Sequence, residues 1–211
     1  MAGGGKRIYR SAIKRGEASE KILRAATELF AAQGYGATSI LDIAGAASVA
    51  RPTVFSAVGT KPMIFKAVLE AAVAGENPGV PVLRQPWLQQ VLDEPDPHRM
   101  LRLHARSVRR IGERISDLYW AAECAAETDA EVREVFRAID DDRLAAGLAV
   151  GTALARRTPL RDGHDATSAG QVLNAVVSPA AWRALVRDAG WTPDRWETWA
   201  GEATCRMLLV E

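Results

Sequence analysis

The chain has 211 residues, enough for one large domain or two small ones, with 48% hydrophobic and 25% charged residues. That balance excludes a disordered chain, two cysteines exclude a disulfide framework, and no stretch approaches the ~20 apolar residues of a bilayer span. The net charge of +1 hides an asymmetry: residues 1–75 hold ten Lys/Arg against five Asp/Glu, whereas 76–211 hold 17 Arg against 21 Asp/Glu. A basic first third suggests an anionic partner at that end. The 38 alanines, mostly in proline-free segments, predict an all-α protein.

In chain order, residues 1–16 read as a flexible basic arm carrying Lys6, Arg7, Arg10, Lys14 and Arg15. The first helix is expected from Glu17 to Gln33, with Ile22, Ala26, Leu29 and Phe30 as its buried stripe. Gly34 and Gly36 stop it. Thr38 or Ser39 caps the next helix, with Asp42 in its first turn and Ile40, Ile43, Ala44 and Ala47 inward. After a break at Ala47–Val49, a short helix runs from Ala50 to Val58. Gly59 ends it, and Thr60 opens a fourth helix whose expected inner face is Ile64, Ala67, Val68 and Ala71.

Five of the ten prolines fall between Pro78 and Pro97, which places a domain junction there. Beyond it the pattern predicts helices near 84–93, 97–112, 116–127, 130–157, 166–177, 179–189 and 193–209. Asp96-Pro97, Ser178-Pro179 and Thr192-Pro193 each pair a capping side chain with a proline at the first helical position.

The pair of short helices over Thr38–Val58 has helix-turn-helix spacing, in which one helix braces a second that enters a major groove about 12 Å wide. The run from Ile22 to Ala72 resembles the DNA-binding domain of the TetR family of bacterial transcriptional regulators. Leu29, Phe30, Gly34, Tyr35, Thr38, Ser39, Ile43, Ala44, Val49, Thr53, Gly59 and Lys61 carry the resemblance. Several positions depart from it. Ala50 stands where the recognition helix usually begins with Ser or Thr, and Ser48 replaces a turn glycine. Pro52 takes a small residue's place, Phe55 a frequent tyrosine's, and Ala57 and Val58 those of larger residues.

Chemistry suggests roles within that frame. Arg51 can fork onto guanine, Thr53 and Ser56 can bond phosphate or base, and Phe55 lies on the same helix. Thr38, Ser39 and Lys61, at helix N-termini, suit phosphate oxygens. The resemblance further implies an N-terminal three-helix bundle over 17–75 and a larger helical ligand-binding and dimerisation domain over 76–211. Dimer pairing would then use 166–189 and 193–209, with Trp196, Ala200, Ala203 and Met207 as a stripe on the last helix. It also implies a pocket for an apolar or amphipathic effector, with Trp87, Met100, His104, Tyr119, Trp120, Cys124 and Phe136 as candidates. At helical spacing these residues equally fit plain core.

The expectation is therefore a cytoplasmic, ligand-responsive repressor that grips palindromic double-stranded DNA as a homodimer. No catalytic residue, cofactor or metal ligand is expected, and no membrane association. His104 has no His, Cys or carboxylate at i+3 or i+4. Two other readings stay open: an adaptor of the same fold with weakened DNA binding, and an all-helical enzyme. Asp140-Asp141-Asp142 supports the enzyme poorly, because Leu144 follows where a second metal-binding turn needs an acid and Arg143 competes with a cation.

Overall fold

The computed structural model describes residues 4–77 and 79–210, with side chains from Gly16 onward. Its helices are α1 (Gly4–Ala37), α2 (Ile40–Ala46), α3 (Arg51–Ala57), α4 (Lys61–Ala74), α5 (Pro86–Asp93), α6 (Pro97–Ala126), α7 (Ala130–Ala155), α8 (Ala166–Val176), α9 (Pro179–Trp182) and α10 (Pro193–Leu208). A 3-10 turn, Val82–Arg84, precedes α5, and a π-helical segment, Arg183–Asp188, extends α9. No strand is present among the described residues, where Leu160 and Leu209 form an isolated bridge. The fold is all-α, as composition predicted.

The chain forms two compact units. One comprises Met1–Glu70 with Asp117–Phe136, the other Ala71–Ser116 with Arg137–Glu211. In the first, Ile22, Ala26 and Phe30 of α1 are buried with Ile43 of α2, Val54 of α3 and Ile64 and Phe65 of α4. The Phe30 and Phe65 rings meet edge-on at 4.8 Å, and Tyr35 packs 4.9 Å from Phe65. Aromatic pairs of this kind add to what area burial alone contributes. The second unit has one apolar cluster around Leu88, Met100, Leu154, Leu173 and Leu208. Another is built on Trp182 and Trp196, whose rings stand edge-to-face at 4.9 Å.

Three expectations are corrected. Helix α1 begins at Gly4 rather than Glu17, so the backbone of residues 4–16 is helical; this stretch has no proline and several good helix formers. The arm's basic side chains lie outside the described residues. Helix α6 runs unbroken through Gly112, where two helices were expected. The Trp182 indole covers that glycine so closely that a Cβ would sit 3.0 Å from the ring. The buried face of α4 is Ile64, Phe65, Val68 and Leu69; the bulkier Phe65 and Leu69 take the inward register in place of Ala67 and Ala71. Of the α10 stripe, Trp196 and Ala200 are wholly buried within the chain, while Met207 is 46% exposed.

Candidate nucleic-acid interface

The local chemistry of the helix pair explains its shape. Gly34 leaves helical geometry at φ 80°, ψ 170°, which lets the chain turn out of α1. Ser39 caps α2 in a reciprocal capping box: Ser39 Oγ accepts from Asp42 N at 3.1 Å, and Asp42 Oδ2 accepts from Ser39 N at 2.8 Å. These bonds hold the Asp42 carboxyl below its ordinary pKa. Ser48 occupies the turn with φ 54°, a left-handed conformation that a non-glycine residue adopts at a cost of ~1 kcal/mol. Ala50, at the N-cap of α3, contributes no side-chain bond. Pro52 sits in the first turn, where a missing N–H is harmless.

Val54 is wholly buried and anchors α3. Its outward side chains are Arg51, Pro52, Phe55 and Ser56. The Arg51 guanidinium lies 5.7 Å from the Phe55 ring centre, one helical turn away. Ser56 Oγ donates to Thr53 O at 3.2 Å, and Thr53 itself is half-buried. Ser39 is exposed at the start of α2. Thr38 is 1% exposed and faces inward: its hydroxyl donates to Gly34 O at 2.8 Å and accepts from Gln33 Nε2 at 3.3 Å. Beside the turn, Lys21 and Arg24 of α1 line an open cleft of about 460 Å³ with Ser48. Those two cations were not singled out from sequence, although their i, i+3 spacing put them on one helix face.

Lys61 is not a free surface cation. Its ammonium sits 4.0 Å from the Tyr35 ring centre, and burial pulls its pKa down against the opposing pull of Asp129. Tyr35 Oη donates to Asp129 Oδ2 at 3.0 Å. Burial, then Asp129, push the phenol pKa up. Asp129 Oδ1 also caps α7, accepting from Glu131 N at 3.0 Å and Val132 N at 3.2 Å. Arg133 donates to Ala126 O and Glu127 O, closing the end of α6. The turn between α6 and α7 is thus tied to the Gly-Tyr segment behind the helix pair.

That tie is separable by mutation. Tyr35→Phe should cost about 1 kcal/mol, one hydrogen bond to a charged acceptor that water can partly replace. Asp129→Ala should cost about 2 kcal/mol, because the helix cap is lost as well. In a Tyr35→Phe background, urea unfolding should show Asp129→Ala costing only the cap. Equal costs in both backgrounds would mean that the two side chains do not interact.

The expected effector residues divide between the units. In the second, Met100 and His104 of α6 are buried, and Trp87 packs on the cluster that contains Met100. In the first, the Tyr119 and Phe136 rings meet at 5.0 Å, and Trp120 and Cys124 are exposed. His104 is buried as expected of a core histidine, but its Nδ1 has no hydrogen-bond partner, and neither has Trp87 Nε1. Among the described residues no group of three His, Cys, Asp or Glu is placed to hold a metal ion; Asp140 pairs instead with Arg143 at 3.3 Å. No described helix is long and apolar enough to cross a membrane.

Burial drives the His104 pKa down to about 4. The unfolded chain binds this proton near pH 6.5, so stability is intact above that pH and falls as pH drops towards 4. The loss should approach about 3 kcal/mol. Thermal unfolding followed from pH 7 to pH 4 should show it, and His104→Leu should flatten that part of the acid limb. An unchanged acid limb in the variant would place the pH dependence elsewhere.

Residues 22–68 match the family described as bacterial regulatory proteins, tetR family. NalD of Pseudomonas aeruginosa, the secondary repressor of the MexAB-OprM multidrug efflux pump, aligns with a TM-score of 0.72 at 22% identity, over 93% of this chain and 99% of its own. A transcriptional regulator from Saccharomonospora viridis in complex with choline gives 0.72 at 16% identity, over 93% and 100%. A TetR-family regulator from Mesorhizobium loti gives 0.70 at 18% identity, over 93% and 98%. The search of curated proteins returned no match. At these identities the solved structures establish a shared fold. Residues 22–68 thus match the tetR family of bacterial regulatory proteins, and the chain shares its fold with these regulators along nearly its whole length.

Proposed function

We propose that this protein is a ligand-responsive transcriptional repressor that binds a palindromic operator as a homodimer in the cytoplasm. Residues 17–75 form its reading head, residues 1–16 a basic arm, and 76–211 the effector and dimerisation region. The observation that carries the reading is the outward set on α3, Arg51, Phe55 and Ser56, beside an α2 whose start at Ser39 is exposed. Arg51 reads a base edge, Ser39, Thr53 and Ser56 bond phosphate or base, and Lys61 supplies a positive charge held by the Tyr35 ring. The Thr38 hydroxyl is engaged inside the head and serves to position α2.

The second unit would take a small apolar or amphipathic molecule and would pair through the exposed side of α8 and α10, Met207 included. Helices α4, α6 and α7 each contribute residues to both units, so a ligand that favours one arrangement of them alters operator affinity; a coupling of ~1–3 kcal/mol suffices. No catalytic step is part of this reading.

The test is a titration of the protein into duplex DNA from upstream of its own gene, at several salt concentrations. A sequence-specific complex whose log affinity falls linearly with log salt supports the proposal. Uniform weak binding to every duplex opposes it. It would favour the adaptor reading, for which Leu41, Phe55 and Met63 are exposed apolar side chains.

A further inference from the structure

We infer that Phe55 reads the 5-methyl group of a thymine lying within two base pairs of the guanine contacted by Arg51. The inference rests on the operator reading above and names part of its sequence. Phe55 is 44% exposed on a helix whose inward anchor, Val54, is already wholly buried, so the ring is not needed for the core. A phenyl ring offers no hydrogen bond. In the major groove the feature that gains from contact with it is the thymine methyl, the one apolar group on the base edges.

The neighbouring charge sets the register. Arg51 forms no ion pair among the described residues, and its guanidinium lies 5.7 Å from the centre of the Phe55 ring. Such a contact restrains a long side chain that would otherwise sample many rotamers. Four residues advance a helix by about 6 Å. Successive base pairs stand about 3.4 Å apart. A guanine under Arg51 and a methyl under Phe55 therefore belong to the same short step of the half-site. Ser56, beside the ring, directs its hydroxyl hydrogen at Thr53 O and leaves its oxygen as an acceptor. The surface so formed is apolar at one end and cationic at the other, which suits a step with a methyl beside the O6 and N7 of guanine.

The experiment uses the full-length protein and the duplex selected by the titration above. Each thymine is replaced in turn by deoxyuridine, which keeps base pairing and removes only the methyl. One position per half-site should lose about three- to five-fold in affinity, the factor expected for desolvating one methyl group. Phe55→Ala should abolish that difference, and Phe55→Leu should keep it. The exposed position spares the core in both variants, and the scan with the unaltered protein does not depend on either. Sequence-specific binding that ignores every methyl overturns the inference, as does a methyl effect that survives Phe55→Ala. Absence of any sequence-specific complex overturns the operator reading itself.

Discussion

Replacing Gly151 by alanine is expected to lower the midpoint of thermal unfolding by roughly 6–12 °C, the equivalent of about 3 kcal/mol in a protein of this size. A Cβ there would press on the carbonyl of Ala166 and stand 2.5 Å from Gly170 N and 2.8 Å from Gly170 Cα. These are backbone atoms of α8, which cannot rotate away as a side chain would. The approach is reciprocal: a Cβ at Gly170 would meet Leu148 Cα at 2.7 Å, and one at Gly147 would meet Gly170 O at 2.9 Å. The two helices therefore pack backbone to backbone, and one methyl group has to part them. Arg143 adds a bond across the same pair, donating from Nη1 to Asn174 O at 2.7 Å. Gly45→Ala is the control. Gly45 lies in α2 with nothing within 4 Å of a Cβ, so alanine should stabilise by about 0.5–1 kcal/mol through helix propensity. Calorimetry should find opposite signs for the two variants. Equal signs would refute the close approach of α7 and α8.

Arg51→Ala should weaken binding to the selected operator about ten- to a hundred-fold per half-site while leaving affinity for random duplex nearly unchanged. Arg51 is exposed at the head of α3, and no acidic side chain competes for its guanidinium among the described residues. If Arg51 contacts a guanine as proposed, its loss should relax preference at one base pair, which selection from a randomised half-site would reveal. Loss spread evenly over all sequences would reassign Arg51 to phosphate. Lys61→Ala makes a useful contrast. Because the ammonium packs on Tyr35 near Asp129, that change should lower both the stability of the head and its affinity for every duplex.

Much of the helix pair was legible in the residues. Ser39 and Asp42 form a cap from positions three apart, Gly34 breaks α1 by its own conformational freedom, and Ser48 turns left-handed where a glycine is usual. The roles of Tyr35 and Lys61 were not legible. They depend on Asp129, which is 94 positions from Tyr35, and no local pattern announces that partner. Thr38 looked like a phosphate ligand until burial turned its hydroxyl inward. The effector candidates resemble one another in residue type and not in location. Exposure then separated Trp120 and Cys124 from the buried Met100 and His104.

By itself, the sequence determined the all-α class, the position of the helix pair and most helix starts. Propensity, capping and apolar periodicity act over a few residues, and their strengths are carried by the residues themselves. Only the tertiary structure decided that α6 runs on through Gly112, that α4 turns Phe65 inward, and that α7 meets α8 through glycines. Those outcomes turn on whether a distant side chain or backbone fills a particular space, and close packing leaves such pairings to the folded chain as a whole.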